Sequence, residues 1–405
     1  MDVPFRDLPA EPANEMRFRA SPDESEAAPA AGAPELAGDT PAAPGSVARE
    51  ALADRSPVTA PTPLVALAEP EPEPDAEPFV QPAAPLGKPR PASFRAYSFA
   101  FEGTDYAYRL YLPPGVPTDA ASGLADALPP DAAAAYPAPA LIVLLHGCKQ
   151  DAADFAKGTD MNALAAGQNC LVLYPEQLAK ANSMRCWNWF DPAHQSRESG
   201  EPGMLAALTR KVIAQHGVDA SRVYVAGLSA GGAMAAVLAS EYPDLFAAAG
   251  IHSGLPQGAA KDVMSAFSAM RSGPASRGAG LKGAPDGAAM PVPVIVFHGN
   301  ADKTVNPDNG VHIVDAALRA FAASSLPLSE ARTNLPDADG KLPRAGRSGQ
   351  RSVFRAADGT PYVESWEIQA GPHAWSGGDA GGTYTDPDGP SASAAMLAFF
   401  LQHRR

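Results

Sequence analysis

Five short runs of this chain are apolar at nearly every position rather than at every second one: ALIVLLHG (140–147), LVLYPEQ (171–177), RVYVAGLS (222–229), AAAGIHSG (247–254) and VPVIVFHG (292–299). A strand that buries only one face alternates, whereas a strand covered on both faces does not. Helical stretches around 151–168, 202–216, 230–241, 259–271 and 309–323 lie between most of these runs. Strands of this kind alternating with helices predict an α/β fold, a mostly parallel central sheet with helices on both faces. Upstream, FRAYSFAFEG and DYAYRLYLP (94–113) alternate aromatic and polar residues around Gly103, as an antiparallel hairpin does. A late strand, YVESWEIQ, and a closing helix, SASAAMLAFFLQH, complete the layout.

In such sheets ligands bind beyond the carboxyl ends of the strands. Four strand ends therefore matter: HGCKQ after residue 145, Ser229, HGNADKTVNP after residue 297, and GPHAWSGG after residue 370. Ser229 stands where the strand VYV passes into the Ala-rich helix AGGAMAAVLA. Gly227, Ser229 and Gly231 form the pattern G-x-S-x-G, which in this context is the nucleophile elbow of α/β-hydrolases. The plainer reading is a serine N-cap after a glycine turn, and the pentapeptide alone does not separate the two.

A serine hydroxyl is a poor nucleophile at neutral pH and needs an imidazole to take its proton, itself oriented by a carboxylate. In the α/β-hydrolase order of serine, acid, histidine, Asp302 follows Ser229 by 73 residues and His373 follows Asp302 by 71, both in Gly-rich loops after strands. The rival histidines are placed less well. His146 and His252 precede any candidate acid, and His298 abuts the loop of Asp302. His146 and His298 are expected to fix loops by hydrogen bonds, His252 to be structural or to line the cleft, and His194, His216, His312 and His403 to be surface or helix residues. Among acids, Asp308, Asp358, Glu364 and Asp379 are also candidates, but Asp308 is expected to cap the helix starting at 309 and Asp379 follows His373, and Asp302 is the preferred choice. Acyl transfer develops negative charge on oxygen, so two backbone N–H donors are needed, and Ala230 and Cys148 are in place to supply them.

Composition divides the chain. Residues 1–93 hold 19 of its 43 prolines and 16 Asp/Glu against 7 Lys/Arg, leaving 29 against 24 for residues 94–405. Stretches such as EPEPEPDAEPF have too few large apolar groups to offset the entropy of ordering, so 1–93 is expected to be a disordered acidic Pro/Ala-rich tail and 94–405 the catalytic domain. Residues 118–139 and 272–291, rich in Ala, Gly and Pro, read as surface insertions. An acidic chain with no basic patch gives no reason to expect nucleic acid binding. ALIVLLHGC, the longest strand-like apolar run, is too short to span a bilayer. Three cysteines are too few for a disulfide scaffold and lack the spacing of a metal site.

LLHGCKQDAADFAKGTDMNALA, LYPEQ, CWNWF, RVYVAGLSAGGAMAAVLA, FHGNADKTVNPDNG and PHAWSGGDAGGTYTDPDGPSASAAMLAFFLQH together resemble the esterase family that contains polyhydroxybutyrate depolymerases and feruloyl and acetylxylan esterases. The resemblance implies Ser229 as nucleophile, Asp302 as orienting acid, His373 as base, and oxyanion donors at Cys148 and Ala230. It also implies a disulfide between Cys148 and Cys186, with buried free thiols as the alternative in a reducing compartment. Trp187, Trp189 and Trp375 become candidates for the cleft wall. Core packing is equally open for Trp187, and Trp189 and Trp375 are preferred. Secreted depolymerases of this kind carry a signal peptide and usually a separate substrate-binding domain. The opening MDVPFRDLPAEPANEM shows neither a basic nor an apolar signal segment, which leaves the compartment open between extracellular and cytoplasmic and makes insoluble polymer a doubtful substrate.

The expected activity is ester hydrolysis through an acyl-enzyme, needing no metal or organic cofactor, on hydroxyalkanoate oligomers or other short acyl esters. Feruloyl or acetylxylan ester hydrolysis is the alternative within the class, and peptidase activity has no specific support. A polymer-granule binding protein that merely keeps the fold is the rival from outside it.

Overall fold

The computed structural model describes residues 91–116, 137–274, 290–335 and 346–405. The tail expected up to residue 93 lies outside the described residues as far as 90, as does most of the expected insertions at 118–139 and 272–291.

Among the described residues ten strands form one sheet. The hairpin β1 (Ser93–Phe101) and β2 (Thr104–Leu112) is antiparallel and turns at Glu102 and Gly103, both with positive φ. Then come β3 (Ala140–Leu145), β4 (Cys170–Pro175), β5 (Val223–Leu228), β6 (Ala248–His252), β7 (Val294–Gly299), β8 (Ser329–Leu335), β9 (Gly349–Arg355) and β10 (Pro361–Ile368). Their spatial order is β1-β2-β4-β3-β5-β6-β7-β10-β9-β8, with β4, β3, β5, β6, β7 and β10 all parallel to their neighbours within that run. Antiparallel hairpins flank this parallel centre on both sides. A small second sheet pairs β11 (Trp375–Ser376) with β12 (Thr385–Asp386).

The continuous apolar runs have the cause expected of them. Along β3, Leu141, Val143 and Leu145 enter one core while Ala140, Ile142 and Leu144 enter the other. β5 divides in the same way, with Val223 and Val225 opposed to Tyr224 and Ala226. The first core is covered by α3 (Gly200–His216), α4 (Ala230–Glu241), α5 (Val263–Ser272) and α6 (Asp308–Ala323). The second is covered by α1 (Ala152–Thr159), α2 (Met161–Ala166) and α7 (Ala392–Phe400). The helix read over 151–168 is two helices, because Asp160 takes φ 50° and ends the first. Asp308 does not cap α6: it is the first helical residue, after Pro307. Among the described residues no helix is long and apolar enough to cross a membrane.

After β3 the chain runs to one side, into β4, and returns to the other side, into β5. The sheet therefore reverses its winding between β3 and β5, and their carboxyl ends diverge into separate loops, where a ligand crevice forms in open α/β sheets.

Candidate active site

Ser229 holds φ 57° and ψ −119°, a region that costs a non-glycine residue of order 1–3 kcal/mol and persists only where surroundings impose it. The surroundings here are backbone. Ser229 N donates to His252 O at 2.9 Å, and Ala233 N donates to Ser229 O at 2.9 Å. A Cβ on Gly231 would lie 2.1 Å from Leu145 O, and one on Gly227 would lie 2.4 Å from Gly231 C and O. The glycines thus serve close approach of α4 to the ends of β3 and β5, while the serine itself takes the positive φ. No side-chain capping bond is made by Ser229, so the N-cap reading does not account for it.

Asp302 and His373 come together because the loops after β7 and β10 pack backbone against backbone. Ala301 N donates to Gly371 O at 3.1 Å and Asn300 N to Ile368 O at 3.0 Å, and a Cβ on Gly299 would meet Gly371 O at 2.2 Å. His373 Nδ1 then lies 2.7 Å from Asp302 Oδ2. A carboxylate only accepts, so Nδ1 carries the proton and Nε2 is left as the basic nitrogen. Asp302 Oδ1 accepts from Thr304 N at 2.8 Å and Val305 N at 2.9 Å. Burial pushes the Asp302 carboxyl up, but the His298 and His373 hydrogen bonds, the His373 charge and the Val305 amide outweigh it and hold the group well below the usual carboxylate range. His298 fixes the same loop: its Nε2 lies 3.0 Å from Val305 O and 3.4 Å from Asp302 Oδ2.

Ser229 and His373 line one cavity of about 550 Å³, together with Gly147, Cys148, Ala230 and Trp189. The turn that carries Cys148 is braced on three sides. Gly147 N donates to Gln150 Oε1, while Gln150 Nε2 reaches Asp154 Oδ2 and Thr383 O, each at 3.0 Å. Lys149 N donates to Met184 O at 2.7 Å, and Cys148 and Cys186 are joined, with Sγ–Sγ 2.04 Å. The buried carboxylate of Glu201 accepts from Gln177 Nε2, Asn188 N and Asn188 Nδ2, so α3 anchors the CWNWF loop from beneath. Opening a bridge of 38-residue separation frees about 4 kcal/mol of chain entropy in the unfolded state. Cys186→Ser should accordingly lower the urea midpoint and loosen the cavity, and an unchanged midpoint would mean that the bridge constrains nothing.

The tryptophans separate. Trp189 is in the cavity wall and packs edge-on against Phe190. Trp375, expected in the cleft wall, is instead core: it is 1% exposed, stacks on His252 at 5.1 Å, meets Phe155 edge-on and donates from Nε1 to Ser393 Oγ. Two residues beyond His373 the chain has already turned inward as β11, so the ring points away from the cleft. Trp187 is also core, against His146. His252 is structural: its Nε2 accepts from Ser376 N, which props the loop that carries His373. His403, expected at the surface or on a helix, is buried against Phe399 and Tyr362.

Several lining residues had no sequence role assigned. Gln150 stands in the stretch HGCKQ, yet a glutamine in a loop announces no chemistry. Val263, Phe267 and Met270 of α5 recur at helical spacing as a core stripe does, but they face the cavity, with Val263 and Phe267 more than half exposed.

Burial pushes His146 down to about 4, His252 to about 3 and His403 to about 4, so all three are neutral in the folded protein at pH 7. Unfolded, each would titrate near 6.5. Stability contributed by these groups is complete above that value. It falls as pH drops toward 4 and 3, by up to about 1.4 kcal/mol per pH unit for each proton the unfolded chain takes up. Urea unfolding at intervals from pH 7.5 to 4.5 should show this loss, and a flat profile would mean that the three imidazoles charge in the native state.

Residues 123–324 match the family described as Esterase PHB depolymerase. The poly(3-hydroxyalkanoate) depolymerase C of Paucimonas lemoignei is 35% identical over 252 residues, 61% of this chain and 56% of that protein. Feruloyl esterase B of Neurospora crassa is 37% identical over 118 residues, 29% of this chain and 39% of that protein. The chain thus spans about half the length, or less, of these curated relatives. Among solved structures, acetyl xylan esterase from Aspergillus awamori superposes with a TM-score of 0.55 at 18% identity, over 76% of this chain and 99% of the other, a likeness of fold.

Proposed function

We propose that this chain, whose residues 123–324 match the esterase family of polyhydroxybutyrate depolymerases, hydrolyses carboxylic esters through an acyl-enzyme on Ser229. The observation that carries the reading is the 2.7 Å contact between His373 Nδ1 and Asp302 Oδ2, in loops 71 residues apart, with His373 and Ser229 lining one cavity. A carboxylate that holds the imidazole by Nδ1 presents Nε2 as the base for a serine hydroxyl.

In this mechanism Ser229 Oγ attacks the ester carbonyl as His373 Nε2 takes its proton. The oxyanion of the tetrahedral intermediate accepts from the N–H groups of Ala230 and Cys148, donors of a kind worth about 3 kcal/mol each in the transition state. Collapse breaks the bond to the alcohol, which leaves with the proton from His373. Water then attacks the acyl group with His373 as base, restoring the serine and releasing the acid. Negative charge is met throughout by backbone donors, so no step calls for a Lewis acid.

The substrates we favour are hydroxyalkanoate oligomers or other short acyl esters, in keeping with the names of the relatives and with a cavity lined largely by apolar side chains. Feruloyl and acetylxylan esters are the second reading, favoured by relatives that carry those names. A fluorophosphonate probe should label Ser229 in the folded protein. Absence of labelling would leave a binding protein that only keeps the fold. Turnover of 4-nitrophenyl butyrate, methyl ferulate, acetylated xylan and hydroxybutyrate oligomers then separates the ester classes.

A further inference from the structure

We propose that Lys149 is a specificity-determining residue that selects esters bearing a free carboxylate. The proposal rests on the esterase reading and narrows it to acidic substrates, of which an oligomeric hydroxy acid with its free carboxyl end is the simplest.

The chain carries a net charge of −14, yet among the described residues no Asp or Glu side chain lines the cavity that holds Ser229. Among the described lining residues Lys149 is the one lysine or arginine, and the remaining wall is dominated by apolar groups such as Leu228, Leu255, Phe267 and Met270. The carboxylates that could neutralise this lysine are committed elsewhere. Asp151 caps α1 by accepting from Ala153 N and Asp154 N, and Asp154 accepts from Gln150 Nε2 and Thr383 N. Glu176 instead faces Arg185 at 3.5 Å. Lys149 makes no ion pair among the described residues, although it is exposed and lines the cavity.

Its backbone is also held. Lys149 sits at φ 65°, its amide donates to Met184 O, Cys148 before it is bridged to Cys186, and Gln150 after it is buried and hydrogen-bonded. A flexible ammonium stem thus starts from a fixed point, one residue from a proposed oxyanion donor. An ammonium is a compact point charge with three donors, suited to a carboxylate approaching from solvent. Because the described wall offers no competing acid, an anionic substrate meets attraction there without repulsion, whereas a neutral ester gains nothing from the lysine.

The test compares the linear dimer of 3-hydroxybutyrate, as free acid, with its methyl ester. The wild-type protein should favour the acid about fivefold in kcat/KM at low salt, the size of a well-made exposed ion pair. The difference should lie in KM and shrink at about 0.5 M salt, where screening is short-ranged. Lys149→Met should abolish the preference and Lys149→Arg should retain it. Calorimetric binding of the two compounds to Ser229→Ala, with and without Lys149→Met, reads the same preference without turnover. Failure of the probe to label Ser229, with the binding preference intact, would sink the esterase reading alone. An equal acid-to-ester ratio in wild type and Lys149→Met, in turnover or in binding, would overturn the role of Lys149.

Discussion

Ser229→Ala should lower kcat on a soluble ester such as 4-nitrophenyl butyrate by at least about 10⁴-fold while KM changes little. In the proposed mechanism the hydroxyl forms the bond that stores the acyl group, and with it gone His373 and Asp302 have nothing to activate. What remains is water attacking an ester held by the cavity and by the amides of Ala230 and Cys148. Because the three side chains act as one unit, Ser229→Ala combined with His373→Ala should be scarcely worse than either alone. Asp302→Asn should cost about 10⁴-fold for a separate reason, since an amide at that position accepts two loop N–H groups with its oxygen and then turns its NH₂ toward His373, favouring the wrong tautomer. Each variant should keep the melting temperature within a few degrees. Residual turnover within tenfold of wild type in Ser229→Ala, on protein freed of contaminating esterase, would end the acyl-enzyme mechanism.

The second large effect is on folding rather than chemistry. Gly231→Ala should yield insoluble protein, or soluble protein destabilised by more than about 4 kcal/mol, beyond the ordinary range for one substitution. The new Cβ would stand 2.1 Å from Leu145 O and 2.6 Å from His146 O. Both are backbone at the carboxyl end of β3, so no side-chain rotation relieves the contact. Relief requires moving α4 away from the sheet, which opens the core at Ala233, Met234 and Val237. Gly167→Ala is the matched control: its φ of −81° suits alanine, and the nearest atom to the added Cβ is 4.0 Å away. That variant should unfold within about 1 kcal/mol of wild type in urea. Equal behaviour of the two variants would mean that the elbow is not packed as described.

Much of this arrangement was legible before any coordinates. The parallel centre followed from runs such as ALIVLL and VYVAGL, because a strand with helices on both faces must be apolar on both. β8 and β9 were not anticipated: SEARTNL and GQRSVFR carry charges and few large apolar groups, as suits strands at the sheet's outer edge. Their pairing comes from the neighbouring β10, and nothing local in their composition signals it. The serine, acid and histidine were named from chain order and loop position. Trp375 was misplaced because residues 373 and 375 are adjacent in sequence, while β11 turns the second of them into the core.

By itself the sequence determined what short-range physics controls: the apolar central strands and the helices between most of them, where glycine permits a sharp junction, and which loops follow those strands. Tertiary structure alone decided which side chains share a cavity, that Glu201 and Gln150 brace its walls, and that Lys149 stands there with no ion pair among the described residues. Hydrophobic period and turn chemistry are set by neighbours a few residues apart. Cavity membership depends on contacts between residues tens to hundreds of positions apart, whose cost and reward are settled only when the two sheet faces and their helices close together.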